Sequence, residues 1–271
     1  MIVRCPDVAS AGDVVEVGYT DAGSGAPIVF IHGFPHNRSL WAPQVTALSA
    51  LTRCLAPDLR GFGESPSRPP YTMDRYADDV VSLLDALGIA RAVIAGVSMG
   101  GYVAFALWRR HPARVRALLL SDTRPGPDDE AGKGRRRELI AAARAEGSRG
   151  IADRMIDGML GRRTRSRAPG LVGAVHAMLA AGPADGAIGA LEAMIARPDS
   201  TPDLATIDVP TLLVVGEDDV LTPVAESRAM HRAIAASRLE VISGAGHLPN
   251  VERPAAFNHV TGEFLLSLDA P

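Results

Sequence analysis

The sequence has few cysteines and few aromatic residues, and it contains no long uninterrupted apolar run. Cys5 and Cys54 are the two cysteines among 271 residues. They form no metal-ligand pattern, so neither a disulfide framework nor a zinc site is supported, and we expect free thiols. No window approaches the length of a transmembrane helix, and the N-terminus lacks the apolar stretch of a signal peptide. We therefore expect a cytoplasmic protein with no membrane partner.

The chain also lacks an excess of positive charge and any recognised motif for reading nucleic acid. Its formal net charge is −3, and nearly all its basic residues are arginines, clustered in KGRRR (133–137) and RRTRSR (162–167). Because runs of charge mostly lie on protein surfaces, we interpret both runs as solvated helix ends. No nucleic-acid partner is predicted.

Short apolar or β-branched runs alternate with segments of helical periodicity along most of the chain. Several runs are apolar at nearly every position, which is typical of strands covered on both faces. The predicted strands are residues 14–19, 27–32, 52–57, 91–97, 115–121, 210–216 and 238–243. The predicted helices of this part of the chain are 74–88, 99–111, 223–236 and 254–268. The alternation predicts an α/β fold with a mostly parallel sheet flanked by helices.

This alternation stops between about Arg124 and Thr206, where no strand is predicted. The segment contains helical pieces rich in Ala, Met and Arg, at 137–147, 151–160, 171–179 and 186–196. We predict a core domain formed by residues 1–123 and 207–271 and a helical cap insertion at 124–206. The insertion is expected to cover the sheet edge where open α/β folds bind ligands. The alternative is a helical lobe that only adds stability.

The stretch GVSMG places Ser98 between a predicted strand and a predicted helix, with Gly96 two residues before it and Gly100 two after. A serine on a sharp strand-to-helix turn exposes its hydroxyl at the sheet edge, and the crowded backbone there needs small residues at those two positions. The helix N-terminus also offers unpaired N–H groups to an oxyanion. The pattern predicts a nucleophilic Ser98, although a polar residue in a tight turn would also fit the motif alone.

A serine nucleophile needs a general base, and the base needs an acid that orients it. Of the seven histidines, His247 matches best, because its Gly-rich loop follows the last predicted strand and reaches the same sheet edge as Ser98. Asp218 and Asp219 follow the preceding strand, and Asp122 follows another strand. The residues alone leave the choice of acid open, but the order Ser, Asp, His is the one expected for this kind of turn.

Five segments, in this order, resemble motifs of the α/β-hydrolase superfamily. They are FIHGFPHNRSLW (30–41), APDLRGFGES (56–65), GVSMGG (96–101), GEDDVLTP (216–223) and GAGHLPNVERP (244–254). Over most of its length the chain is similar to a compact bacterial group that contains carboxylesterases, non-haem haloperoxidase-like perhydrolases and 3-oxoadipate enol-lactonases. The resemblance implies an α/β-hydrolase fold with a helical cap insertion.

The resemblance also implies roles for particular residues. Ser98 is expected to be the nucleophile, His247 the base and Asp219 the orienting acid. The backbone N–H groups of Phe34 and Met99 are expected to form the oxyanion hole. A serine nucleophile argues against haloalkane dehalogenases and epoxide hydrolases, which carry an aspartate there. Signatures of flavin, haem and metal binding are absent, so no cofactor is expected. The segment APDLRGFGES is interpreted as a structural loop that braces the segment 30–41, which contains Phe34.

An apolar substrate pocket is predicted beside these residues. Its expected side chains are Trp41, Leu221 and Leu248 from the core and Met155, Met159, Met178 and Met194 from the cap. Methionines at helical spacing are more often simple core, but several of them together would form an adaptable pocket for an acyl or alkyl group. No cationic clamp can be placed, although Arg38 or an arginine of the cap could serve.

The leading hypothesis is a serine hydrolase that cleaves carboxylic esters of small or medium acyl or alkyl groups through an acyl-enzyme. Lactone or enol-lactone hydrolysis is its neighbour, and a carboxylated lactone would need the clamp that is missing from the sequence. The alternative of another class is a ligand-binding or signalling protein that retains the triad but turns over slowly. In each case the partner is a small molecule, an ester or a lactone for the enzyme.

Overall fold

A single eight-stranded sheet forms the centre of the protein in the computed structural model, which describes residues 1–10 and 12–268. The strands are β1 (Ile2–Pro6), β2 (Val14–Ala22), β3 (Pro27–Ile31), β4 (Arg53–Pro57), β5 (Ala92–Val97), β6 (Val115–Ser121), β7 (Thr211–Gly216) and β8 (Ser237–Ile242). Their order across the sheet is β1-β2-β4-β3-β5-β6-β7-β8. The β1–β2 and β2–β4 pairs are antiparallel, and all the others are parallel.

Two strands in the middle of the sheet are buried at every position, as their continuous apolar sequences require. This holds for β5, AVIAGV, and for β7, TLLVVG, which are covered on both faces. All seven predicted strands are present, and the prediction of a mostly parallel sheet flanked by helices is confirmed. The sequence analysis missed β1, because Arg4 and Pro6 interrupt this short edge strand, of which Cys5 alone is fully buried.

Helices cover both faces of the sheet. Those outside the predicted cap are α1 (Ala42–Leu48), α2 (Met73–Ala86), α3 (Met99–Arg110), α8 (Val224–Ala233), α9 (Pro249–Glu252) and α10 (Pro254–Ser267). The buried apolar side chains of α2, α3 and α8 belong to one core cluster, and those of α1 and α10 belong to a second. The sheet thus separates two apolar layers. Because helices pack on both of its faces, the strands are held in place, and so are the loops that follow them.

Four helices and no strand lie between β6 and β7 in the described chain. They are α4 (Glu130–Met159), α5 (Arg162–Arg167), α6 (Pro169–Ala180) and α7 (Ala184–Ile195). Helix α4 is broken at Gly147, whose φ of 68° and ψ of −165° are not helical. Helices α6 and α7 both pack against α4. We call residues 124–206 the cap segment, and its status as a separate domain stays a prediction.

Within the described residues no single helix is long and apolar enough to cross a membrane. Helices α6 and α7 reach that length and apolarity only when taken together, and they meet at an angle of 89°.

Candidate active site

Ser98 lies on a strained turn between the end of β5 and the start of α3. Its φ of 54° and ψ of −115° fall in a region that residues with a side chain rarely adopt. The turn is held by hydrogen bonds on both sides, since the Ser98 N–H donates to Ser121 O at 2.9 Å and the Thr123 hydroxyl donates to Ser98 O at 2.8 Å. The backbone therefore holds the Ser98 side chain at the carboxyl edge of the sheet.

The glycines around Ser98 are required by close backbone contacts. A Cβ on Gly96 would lie 2.3 Å from Gly100 O, and a Cβ on Gly100 would lie 2.3 Å from Ile31 O. Gly101 faces a side chain instead, because its Cβ would lie 2.3 Å from the Thr123 hydroxyl oxygen. This contact explains the third glycine of the motif, which allows α3 to approach the loop after β6.

His247 and Asp219 form a buried pair at the ends of β8 and β7. The His247 Nδ1 atom lies 2.8 Å from Asp219 Oδ2, and the two side chains are 2% and 0% exposed. Burial opposes ionisation of Asp219, but the charge of His247 and hydrogen bonds from His247 and Thr222 outweigh it and lower its pKa to about 2. An ionised Asp219 accepts a hydrogen bond from the Nδ1–H group, which leaves the other ring nitrogen, Nε2, free to accept a proton.

The two other acids considered in the sequence analysis have different surroundings. Asp218 is exposed. Asp122 is fully buried at the end of β6, and its two oxygens accept hydrogen bonds from the Gly216 N–H at 2.8 Å and the Ser121 hydroxyl at 2.6 Å. Burial and the negative charge of Asp219 raise the pKa of Asp122 well above its ordinary value. Burial and Asp219 thus favour the neutral form of Asp122, whereas the surroundings of Asp219 favour its ionised form.

Asp122, Asp219 and His247 are also the one group of possible metal ligands found among the described residues. One ligand atom of each lies within 4.8 Å of the others. These atoms already hydrogen-bond to one another or to Ser121 and Thr222. Most of these donor atoms are thus already engaged within the protein, and the set fits a hydrogen-bonded acid–histidine cluster better than a metal site.

Glu252 fixes the loop that carries His247. Its two carboxylate oxygens accept hydrogen bonds from the Gly246 N–H at 2.7 Å and from the Gly161 N–H at 2.9 Å. Gly161 belongs to the cap segment, so one buried carboxylate joins the histidine loop to the cap segment. The sequence analysis did not assign a role to Glu252, because a single acid beside an arginine in a loop carries no distinctive signal.

The loop after β3 passes close to Ser98, since a Cβ on Gly33 would lie 3.2 Å from Ser98 Cβ. The Leu59 N–H donates to His32 Nε2 at 3.0 Å, so the ring proton is on Nδ1, which donates to Gly33 O at 2.9 Å. The His36 N–H also donates to Gly33 O. Since Gly33 O and the Phe34 N–H belong to one peptide group, these two bonds fix the direction of that N–H. Burial lowers the pKa of His32, which keeps the ring neutral.

The APDLRGFGES segment makes contacts with the segment 30–41 and with α2 that agree with a structural role. Asp58 accepts the Arg38 N–H at 2.7 Å and pairs with the Arg38 guanidinium, which also lies 2.6 Å from Glu64. Arg60 forms a buried bidentate pair with Asp79 at 2.5 and 2.6 Å. Arg38 is therefore engaged by two acids and does not serve as the clamp for a substrate that the sequence analysis considered.

Ser98 and His247 open onto the same cavity, which has a volume of about 530 Å³ and lies between the sheet edge and the cap segment. The core contributes Phe34, Ser98, Tyr102, Leu221, Thr222 and His247 to its lining, and the apolar side chains from the cap segment are Leu139, Met155, Met159 and Met194. Four of the predicted pocket residues, Leu221, Met155, Met159 and Met194, thus line the cavity. Its volume suits a ligand of small to medium size.

Three predicted pocket residues lie elsewhere, which corrects the sequence analysis. Trp41 is fully buried and packs its ring 4.9 Å from that of Phe30 and 5.9 Å from that of Phe257. Leu248 is fully buried in the same core cluster, and Met178 packs against that cluster from α6. Trp41 and Leu248 are core residues, and Met178 is a half-buried residue that packs on the core. Met99 is also buried in the core, so it can offer only its backbone N–H, at the first position of α3.

The cavity is more cationic than the sequence analysis expected. Its charged lining residues are Arg124, Arg135, Arg136, Arg154, Asp128 and Glu138. Two of these arginines belong to the KGRRR run, which lies within α4 and is not a solvated helix end as predicted. A plain ester is preferred over a carboxylated lactone only if the cavity lacks a cation, and these arginines supply one. The sequence signal that could have revealed them was the position of the run inside the predicted cap.

Comparisons with known proteins agree with this geometry. A family profile described as the Alpha/beta hydrolase family matches residues 28–260. Among solved structures, a malate-bound thermophilic esterase from Thermogutta terrifontis is 37% identical with a TM-score of 0.96, and all of each chain is covered. The enol-lactonase from Burkholderia xenovorans is 30% identical with a TM-score of 0.87, covering 97% of this chain and 100% of that one.

Curated sequences give the same result. The 3-oxoadipate enol-lactonase 2 of Acinetobacter baylyi is 31% identical over 257 residues, which are 93% of this chain and 94% of the relative. The profile covers most of the sheet and the whole cap segment, and each of these similarities extends over nearly the full chain. The protein therefore belongs to the alpha/beta hydrolase family.

Proposed function

We propose that the protein is a serine hydrolase that cleaves carboxylic esters through an acyl-enzyme, with Ser98 as nucleophile, His247 as base and Asp219 as orienting acid. The observation that carries the proposal is the buried His247–Asp219 pair, at 2.8 Å, beside a cavity that Ser98 also lines. A strained turn that exposes a serine is otherwise costly, and such strain is typical of functional sites. Similarity to an esterase and to enol-lactonases supports the same chemistry.

The proposed reaction has two halves. In the first, His247 Nε2 takes the proton of Ser98 as Oγ attacks the carbonyl carbon, and the N–H groups of Phe34 and Met99 bind the oxyanion. His247 then gives the proton to the alcohol as the carbon–oxygen bond breaks. In the second half His247 takes a proton from water, hydroxide attacks the acyl-enzyme, and the proton returns to Ser98 as the acid leaves. Asp219 accepts the hydrogen bond from the His247 Nδ1–H group throughout.

Lactone hydrolysis is the second candidate, and it uses the same steps. In a lactone the leaving alcohol stays attached to the acyl group, so the product is a single hydroxy acid. The observation that favours it is the set of arginines along the cavity, because a lactone that carries a carboxylate needs a cationic partner. A panel of short esters and lactones separates the two candidates.

The test is the turnover of p-nitrophenyl butyrate by Ser98→Ala. We expect the variant to lose activity to the level of the uncatalysed reaction while its circular dichroism and thermal unfolding match those of the parent. Ser166→Ala is the matched control, since Ser166 is an exposed serine on α5 that hydrogen-bonds to Arg163 O. A Ser98→Ala protein that keeps its activity would refute the proposal. Binding of esters by the parent without turnover would instead favour a ligand-binding protein.

A further inference from the structure

On one wall of the cavity, the positive charges of the arginines outnumber the negative charges of the carboxylates. We call Arg124, Arg135 and Arg136, together with Asp128, the arginine wall. Asp128 Oδ1 accepts from Arg124 Nη2 at 2.5 Å, and Asp128 Oδ2 accepts from Arg136 Nε. Behind the wall, Arg197 Nη2 donates to Asp128 Oδ1 at 3.0 Å. One carboxylate thus faces three guanidinium groups, and two positive charges remain at this place.

The central carboxylate is held in its ionised form by these neighbours. Asp128 is buried, which opposes ionisation, but hydrogen bonds from Arg197 and Arg136 outweigh burial and keep its pKa well below the ordinary value. The Arg197 guanidinium also stacks 4.2 Å above the ring of Tyr102, which lines the cavity. The arrangement is therefore rigid, and its excess charge does not depend on the protonation of a neighbouring group near neutral pH.

The arginine wall also has donors that the described residues leave without a strong acceptor. Arg124 Nε is buried and has no hydrogen-bond partner there. Arg136 Nη1 lies 3.1 Å from Met194 Sδ, and a thioether is a weak acceptor. Arg135 is exposed to the cavity and forms no ion pair within the same part of the chain. Desolvated N–H groups without acceptors are costly, so they favour a ligand that supplies oxygens.

From these contacts we infer that the substrate carries a carboxylate on its acyl half, which binds Arg135 and Arg124 while its ester or lactone carbonyl lies at Ser98. The inference rests on the proposed function and names its substrate class. A half-ester of a dicarboxylic acid has the required shape, with apolar carbons between its two ends. Leu139, Met155, Met159 and Met194 line the same cavity and can contact those carbons. Arginine is suited to this role because its planar fork binds a carboxylate with two parallel hydrogen bonds.

Other charged groups at the cavity do not cancel the arginine wall. Arg154 also lines it, but its guanidinium is paired with Glu146 at 2.9 and 3.2 Å. Glu138 is the second acid of the lining, and it is exposed on α4. Glu146 balances Arg154, and Glu138 offsets the charge that Arg135 adds, so the two positive charges left around Asp128 remain. A substrate carboxylate entering the cavity is attracted by this field before it makes any contact.

The experiment compares two chromogenic esters of equal chain length, the mono-p-nitrophenyl ester of adipic acid and p-nitrophenyl hexanoate. They differ in a terminal carboxylate, and the measured quantity is the ratio of their kcat/KM values. We expect the parent to prefer the adipate ester by roughly 10- to 100-fold, as a charge-assisted hydrogen-bond pair implies. The preference should shrink as salt is raised, because Coulomb attraction in an open cavity is screened.

Arg135→Gln should reduce this ratio at least about tenfold, and Arg124→Gln should reduce it as well. The matched control is Arg137→Gln, which removes an arginine of the same run whose partner is Glu130 and which does not line the cavity. We expect the control to leave both esters and the ratio unchanged. Because Arg135 is exposed and makes no ion pair among the described residues, its variant does not depend on the Asp128 network for folding.

The outcomes separate this inference from the proposed function. A parent enzyme that hydrolyses hexanoate but shows no preference for the adipate ester overturns the inference and leaves the serine hydrolase intact. A ratio that Arg135→Gln and Arg124→Gln leave unchanged also overturns it. Hydrolysis of neither ester by a folded parent counts against the proposed function itself.

Discussion

Asp219→Asn should abolish most of the activity, while Asp122→Asn should retain it. Asp219 Oδ1 accepts two backbone N–H groups, from Leu221 at 2.8 Å and from Thr222 at 3.2 Å. In an asparagine the amide oxygen must stay at this position, because it is the only acceptor. The amide NH₂ then takes the position of Oδ2 and faces His247 Nδ1. That ring nitrogen is forced to accept, its proton moves to Nε2, and the base can no longer receive the proton of Ser98.

The size of this loss follows from the wrong tautomer. The comparable change in a serine protease lowers kcat by roughly 10⁴, or about 5 kcal/mol of transition-state stabilisation, and we expect a similar loss here. Folding should be affected less. The pKa of Asp219 falls from 3.8 to about 2 in the folded protein, so its ionised form contributes about 2 kcal/mol above pH 4, which is lost as the pH falls towards 2.

Asp122 differs because its oxygens accept from the Gly216 N–H and the Ser121 hydroxyl, and because burial and the charge of Asp219 raise its pKa and favour its neutral form. An asparagine amide can keep its oxygen on the Gly216 N–H and present its NH₂ to Asp219, as a neutral acid would present its hydroxyl. The assay is kcat for p-nitrophenyl butyrate at pH 7.5, with urea unfolding of each variant. A large loss in Asp122→Asn together with an active Asp219→Asn would refute the reasoning and would assign the acid to Asp122.

Two further predictions concern stability. Burial and the neighbouring His32 and His247 lower the pKa of His36 to about 3. The neutral ring therefore contributes its full stabilisation at pH values above the pKa of the unfolded state, near 6.5. This contribution is lost as the pH falls from about 6.5 towards 3. The unfolding free energy should therefore fall by up to about 1.4 kcal/mol per pH unit because of this group. Urea titrations at pH 7, 6 and 5 measure how the unfolding free energy depends on pH, and His36→Phe should remove the contribution of His36 to that dependence. Trp41→Ala should lower the unfolding free energy by about 3–5 kcal/mol with no change in KM. A rise in KM without a loss of stability would instead show that Trp41 lines the substrate pocket.

The loops that carry Ser98, Asp219 and His247 could be predicted because each follows a strand with an unambiguous apolar sequence. Once the parallel strands are assigned, Ser98, Asp219 and His247 must reach the same edge of the sheet, and the glycines around Ser98 report the crowding there. The choice between Asp219 and Asp122 could not be made this way, since both follow such strands. Their different surroundings, with Thr222 beside one and Gly216 beside the other, depend on loop conformation.

The pocket could be predicted only in part, because its lining depends on which face of each element is turned inward. Trp41 follows Phe34 closely in sequence, but its ring lies in the core against Phe30 and Phe257. The orientation of Arg136 depends on the course of α4, which is broken at Gly147. No periodicity in the sequence reveals that a buried Asp128 gathers three arginines beside the cavity.

The most direct test of the central claim is labelling of the folded protein with a fluorophosphonate, followed by mass spectrometry of the labelled peptide. These probes phosphonylate a serine only where a base activates its hydroxyl and an oxyanion hole stabilises the adduct. The account predicts stoichiometric labelling of Ser98, lost in His247→Ala. Absence of labelling in the parent, or a label on any other residue, would contradict it.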